Sequence, residues 1–521
     1  MKRDATVLEE SRNDFESSKT RRKCPYLDTI NTQLLDFDFE KICSITLSDQ
    51  NVYACLVCGK YFKGRGKSTH AFTHSVQASH HVFINLQNDR IFCLPDNYEV
   101  VDQSLKPIKD ALRPTFTEDM IRNLDQNQVL AQDAFGVSYL PGFIGLNNLK
   151  RTDYISVVVH ALAHIPPLRD FFLLTSNTNI THKSSFLLRF GELLCKIWSP
   201  YNIKNTISPH EFVQEVSVKS KRRFHIGQQH ECIEFMSWLL NELHRELCKR
   251  TNSKKSIIQE CFQGFVDVTT TNESATKSSE TEQKEHESSA PRTQTIKTPF
   301  LFLSLDLPTS PLFKDSQGGN VIPQVPLYTV LEKYNGSKTT FVLQDLQRHK
   351  KTYQIRLHPR YLILHVKRFT RNNFFVEKNS TIVNFPVKNL EIREYLFMDS
   401  QSPDMKQLDE KSIAEMRELL DQKEIPYDAS ETRSQLLIKL QEATLTSTKY
   451  NLVANICHDS PLTKGKTTNL NTNPLTEGSY RVHVQNKATE QWYEIQDLHV
   501  QETLPQLIGV SETYMLIYER R

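Results

Sequence analysis

No run of eighteen apolar residues occurs anywhere in the 521-residue chain, so no membrane-spanning helix is expected. The first residues, MKRDATVLEESRNDFESSKTRRK, lack the apolar stretch of a secretory signal and read as a disordered, mixed-charge tail over 1–23. Arg21, Arg22 and Lys23 form a triplet of the nuclear-import type, although such triplets are more often plain solvated clusters. The chain also lacks a strong charge of either sign: 64 Lys and Arg against 61 Asp and Glu leave +3. That balance excludes bulk electrostatic coating of nucleic acid and leaves room only for a local basic patch. Apolar residues are scarce, at 38%, so some segments are expected to stay outside any core. Cysteines are sparse too, ten in all, which favours a reducing compartment over a disulfide framework.

Five of those cysteines fall within the first hundred residues, and this clustering points to metal. The region 24–104 is rich in Cys, His and aromatic residues; 105–139 reads as a helical connector with Thr117 as an N-cap. From 140 to 521 a long mixed segment follows. It is interrupted at 270–298 by polar sequence read as a disordered insert, and at 403–446 by a charged insert of helical periodicity. Helical patterns, SFLLRFGELLCKIW and CIEFMSWLLNELHRELCKR, precede strand patterns such as RYLILHVKRF, YNLVANICH, SYRVHVQ and WYEIQDL. Helices first and strands later indicate an α+β architecture.

Zinc requires four soft or borderline donors in a tetrahedron. A Cys-x-x-Cys turn supplies two from one knuckle and later histidines close the site. The pattern CLVC, HAFTH and a further histidine assigns Cys55, Cys58, His74 and His80 as Zn2+ ligands, with His70 and His81 as competitors. Cys24, Cys43 and Cys93 lack a clear fourth partner for a second site and read as core cysteines.

These motifs carry a resemblance. YACLVCGKYFKGRG and HAFTHSVQASHHVFINL resemble the ubiquitin-protease-type zinc finger. GLNNLKRTDYISVVVHAL, GQQHECIEFMSWLLNELH, YLILHVKRF and the YNLVANICHD–GSYRVHV–WYEIQDL series resemble, in order, the boxes of the ubiquitin-specific protease family. The resemblance implies a papain-like fold, with a helical thumb and β-rich palm and fingers, behind a small zinc finger. LPDNYEV, FLSLDLPTSPLFKD and KRFTRNNFFVEKNSTIVNFP are similar to one branch of that family, splicing factors of the tri-snRNP. That branch implies a nuclear protein whose partners are spliceosomal tri-snRNP proteins, with direct RNA contact left open.

An active member of the family uses a Cys thiolate, a His base, an orienting acid and an oxyanion Asn. In the matching positions this chain has Asp153 for the nucleophile, Arg151 for the oxyanion Asn, Ser479 for the base and Gln496 for the acid, with Asp497 one residue late. A carboxylate without an imidazole is a poor acyl-transfer nucleophile at neutral pH, so no catalytic residue is expected. Arg151 is expected to pair with Asp153 in a structural turn. The alternatives are a deubiquitinating cysteine hydrolase with rewired residues and a ubiquitin-binding pseudoenzyme. Arg65 remains to face a ubiquitin carboxylate, although Lys63 stands where binding relatives often carry a third Cys. The insert SIAEMRELLDQKEIPYDASETRSQLLIKLQEA is similar to a SAP module, a nucleic-acid binder. Its five Lys and Arg against seven Asp and Glu over 411–443 argue against carrying that function over.

Overall fold

The computed structural model describes residues 23–175, 184–272, 293–309, 323–344, 347–371, 376–397, 412–422, 427–428, 431–436, 447–460 and 473–521. The tail 1–22 and the middle of the polar insert lie outside them, as do Ile425, Leu437 and Leu440 of the charged insert. The chain divides into two compact units, one of residues 1–149 with 172–225, the other of 150–171 with 226–521.

In the first unit, five short antiparallel strands run in the order Tyr61–Lys63, Val52–Cys55, Val82–Asn85, Ile91–Cys93, Tyr98–Glu99. One apolar core joins Val52, Ile84 and Ile91 of this sheet, with Leu35 from the preceding turn, to Ile108, Ala111 and Leu112 of the helix Lys106–Leu112. The connector is thus packed against the finger rather than spacing it. Thr117 does cap Glu118–Leu124, accepting from the Met120 amide at 3.3 Å. The rest of the stretch departs from a helix, since Ala131–Gln132 and Ser138–Tyr139 pair as a hairpin. The acidic run Asp36–Glu40 fastens the finger to the helices Ser185–Trp198 and His210–Lys219. Lys196 reaches Asp38 at 2.7 Å, the Ser208 amide donates to Asp38 at 2.8 Å, and Asp36 binds Lys204.

The second unit is built on a large mixed sheet. Its order is Leu303–Asp306, Tyr361–Lys367, Thr513–Arg520, Lys449–Asp459, Ser479–Gln485, Trp492–Gln496, His499–Thr503. Tyr361–Val366 are buried without alternation, as expected of a strand covered on both faces. The helix Asp153–Ala163 is buried along its whole length and packs on Ser479–Gln485 and on the helix Cys232–Thr251. A second, four-stranded sheet runs Thr293–Phe300, Gly264–Asn272, Gln347–Leu357, Asn335–Gln344. It corrects the expectation for 270–298 at both ends: Thr270–Asn272 and Thr293–Lys297 are ladder residues, with Thr269 and Thr295 hydroxyls 2.9 Å apart across the pair. Threonine suits an exposed pleated face, so polarity here marks a solvated strand, not the absence of one. In the charged insert, Ser412 and Glu415 form a capping box on Ile413–Gln422. Met416 and Leu420 pack on Leu436. No described helix is long and apolar enough to cross a membrane alone.

Candidate functional site

Two places collect chemistry-bearing side chains, one in each unit. In the first, the turn after Val52–Cys55 presents Cys55 and Cys58, and the helix His70–Gln77 and the residues after it present His74 and His80. The four donor atoms all lie within 4.8 Å of one another. Cys55 Sγ stands 3.5 Å from His80 Nδ1, Cys58 Sγ 3.4 Å from His74 Nε2, and the two imidazole nitrogens 3.1 Å apart. A zinc tetrahedron with bonds of about 2.0–2.3 Å has edges of about 3.3–3.8 Å, so this donor set fits that ion. Phe62 stacks on His74 at 4.2 Å and fixes its ring. His70 and His81 stand outside the cluster. The His81 Nδ1–H donates to the Leu94 carbonyl at 2.8 Å, and its ring lies on Tyr26. Cys24, Cys43 and Cys93 join no ligand group among the described residues. Arg65 is committed internally, its guanidinium 4.0 Å over Phe92 and donating to Asn97 at 2.8 Å.

In the second unit Asp153 opens its helix, 3% exposed. One carboxylate oxygen accepts the Tyr480 amide at 2.8 Å, the other the Gln229 side chain at 2.8 Å. Burial raises the Asp153 pKa, opposed by those two donors. The carboxylate therefore staples its own helix, the loop before Cys232–Thr251 and the strand Ser479–Gln485 together. Ser479 and Gln496 face each other across neighbouring strands, the Gln496 amide donating to Ser479 Oγ at 3.2 Å. This pair is a hydroxyl and an amide, and neither group takes up a proton at neutral pH. Gly478 is held small by its neighbour: a Cβ there would lie 2.4 Å from His458 Nε2.

The expected Arg151–Asp153 pair does not form. Arg151 is exposed, and its backbone explains why: Lys150 and Arg151 take φ of 62° and 59°, in the left-handed region. The turn points the guanidinium outward while long L side chains are strained by about 1 kcal/mol or more per residue. Arg151→Asn, whose side chain tolerates this region, is expected to raise stability by about 1 kcal/mol, read as a higher urea midpoint at unchanged m-value.

Two cysteines approach this region. The Cys232 thiol is fully buried 3.7 Å from the Tyr154 carbonyl, and burial, then Asp153 and Glu231, push its pKa well up. Cys457, on the central strand, makes with His483 and Glu494 a thiol–imidazole–carboxylate series that sequence reading missed. Sγ lies 3.8 Å from His483 Nδ1, and His483 Nε2 donates to Glu494 at 2.9 Å. Burial opposes the His483 charge, but Cys457 and Glu494 prevail and push its pKa up to about 9. The thiol is 0% exposed and also bonded to Asn455 and Ser511, so the series ties strands together rather than meeting a substrate.

Residues 144–518 match the family described as ubiquitin carboxyl-terminal hydrolase, and 43–105 match the Zn-finger in ubiquitin-hydrolases and other protein. The chain belongs to the ubiquitin carboxyl-terminal hydrolase family. Within it, the chain is 44% identical over 518 residues to human "Ubiquitin carboxyl-terminal hydrolase 39", covering 98% of this chain and 82% of that one. It is 38% identical to the Schizosaccharomyces pombe "Probable mRNA-splicing protein ubp10", over 95% and 88% of the two chains. Identity to the Saccharomyces cerevisiae "Pre-mRNA-splicing factor SAD1" is 29%, over 95% and 93%. A solved structure described as an essential yeast splicing factor superposes with a TM-score of 0.69 at 27% identity, over 96% and 100% of the chains. A SAGA DUB module bound to monoubiquitin superposes at 0.50 with 16% identity, a likeness of fold. The α+β hydrolase-family fold behind a zinc finger, expected from the motifs, is the fold observed.

Proposed function

We propose that this member of the hydrolase family is a non-catalytic scaffold of pre-mRNA splicing, supporting assembly or stability of the tri-snRNP in the nucleus. The relatives with splicing names, matched over nearly the whole chain, supply the process. Asp153 carries the non-catalytic half. At the nucleophile position, both oxygens of a buried carboxylate serve as acceptors for Tyr480 and Gln229, and Ser479 with Gln496 offers no base. Zinc, held by Cys55, Cys58, His74 and His80, closes the finger structurally. Ubiquitin is not the favoured partner, because Arg65 is engaged by Phe92 and Asn97.

Incubation with a ubiquitin C-terminal electrophile is expected to leave the chain unlabelled. Asp153→Cys is expected to hydrolyse no ubiquitin ester, since no imidazole replaces Ser479. Labelling of the unaltered chain at any cysteine assigns it instead to the active enzymes. A pull-down from nuclear extract that recovers neither tri-snRNP proteins nor small nuclear RNAs refutes the splicing half.

A further inference from the structure

We infer that the turn Lys219–Arg223, in the first unit, docks the sugar–phosphate backbone of single-stranded RNA. The inference rests on the splicing reading and gives it a site. The turn follows the helix His210–Lys219, and its backbone is closed at every step. The amides of Lys221, Arg222 and Arg223 donate to the carbonyls of Val218, Ser217 and Ser220, at 3.1, 2.7 and 3.1 Å. The Phe224 amide donates to Ser220 Oγ at 3.1 Å, and the His225 ring to the Arg222 carbonyl at 2.9 Å. Phe224 is 0% exposed and anchors the far end.

On this fixed turn Lys221 and Arg222 take φ of 53° and 63°. Backbone geometry of that kind selects Gly or Asn, whose side chains tolerate it, not two long cations. Folding therefore does not explain the residue types; exposed charge does. Lys221, Arg222 and Arg223 are all exposed. Neither Lys221 nor Arg222 pairs with an acid among the described residues. The same cleft is also lined by Glu40, Asp49, Glu192, Glu211 and Glu215; of these Glu192 and Glu211 are taken by Arg189 and Lys41, Glu215 by the Ser185 hydroxyl and Glu40 by His210. The second unit repeats the device independently, with exposed Lys150 and Arg151 at φ of 62° and 59°.

A phosphate backbone suits this arrangement better than an acidic peptide. A peptide cannot add here through its main chain, because the amides are consumed within the turn. What remains is the adjacent pair of Lys221 and Arg222 tips on a rigid support, which reads repeated phosphates without regard to base.

Anisotropy of a fluorescein-labelled, mixed-sequence 20-nucleotide RNA with the full chain tests the site between 50 and 200 mM salt. Lys221→Asn with Arg222→Asn is expected to weaken binding at least fivefold. The slope of log K against log salt should become shallower by about 1.4, at about 0.7 per lost phosphate contact. The same double variant should melt higher than the parent, because Asn fits the left-handed turn. Binding and stability moving in opposite directions separate a docking role from damage to the fold. Unchanged affinity and slope overturn the inference. So does preference of the parent chain for a polyglutamate peptide over the RNA, which reassigns the turn to an acidic protein. If the variant keeps its RNA affinity while the parent still recovers splicing components from extract, this inference alone fails. Loss of that recovery strikes the splicing reading instead.

Discussion

Cys58→Ser is expected to release one zinc per chain and to unfold the finger, with loss of the five-stranded sheet over 52–99. Structural zinc in small fingers contributes about 10–16 kcal/mol at neutral pH, as much as the whole stability of a typical domain at about 5–15 kcal/mol. Against that loss the finger sets two apolar clusters, one of them built around Cys55 and Cys58 themselves. Its strands are two to four residues long, and His74 and His80 are brought together only at the cluster. The damage should spread, because the core of Leu35, Ile84 and Ile91 continues into Ile108 and Leu112, and Asp38 is tied to Lys196. A zinc-dye titration of the denatured chain counts the metal. Hydrogen exchange locates the melt: protection should fall in the sheet and in Lys106–Leu112 together. A variant that loses the ion yet keeps its exchange protection refutes the structural role.

Acidification is expected to unfold the second unit near pH 5, because four buried histidines there resist protonation. Burial comes first in every case, holding His160, His365 and His458 at about 3 and His358 at about 4. Neighbouring cations, Lys367 for His365 and Lys378 with Arg368 for His458, add to it. A depressed folded-state pKa stabilises the protein above the unfolded value of about 6.5, and that stability is lost as pH falls toward the folded value. Each histidine then contributes about 1.4 kcal/mol per pH unit, and four together roughly 5. A domain stability of about 5–15 kcal/mol is consumed within one to three units. Tryptophan emission should follow the transition, since Trp492 lies 1% exposed in the core of this unit. His160 offers the control: neither ring nitrogen has a partner among the described residues, so His160→Leu should keep the fold and move the midpoint to lower pH. A second unit that stays folded down to pH 4 contradicts these assignments.

Much of the molecule was legible in sequence because apolar period and residue chemistry are local signals. The buried run Tyr361–Val366, the helix Cys232–Thr251 and the cap at Thr117 follow from their own residues. The four zinc-type donors were legible for the same reason: their spacing is short and their chemistry narrow. What was not legible depends on distant neighbours. Gln229 and the Tyr480 amide hold Asp153 from 76 and 327 residues away, and no pattern around GLNNLKRTDYIS announces them. Arg151 was misplaced because its backbone handedness, not its charge, sets its direction. The threonine strands flanking the polar insert were misread because polar composition alone does not separate a solvated ladder from an unstructured chain.

The two hydrogen bonds of Asp153 also bear on how this chain can change through time. A single substitution of Asp153 by cysteine removes two acceptors at once and leaves the Tyr480 amide and the Gln229 side chain facing a weak sulfur partner inside the protein. That step by itself supplies no base, because Ser479 and Gln496 are bonded to each other. On the proposed reading of Asp153 as a replaced nucleophile, the site works as a ratchet: the packing is built around the carboxylate, and a route to a hydrolase runs through less stable proteins.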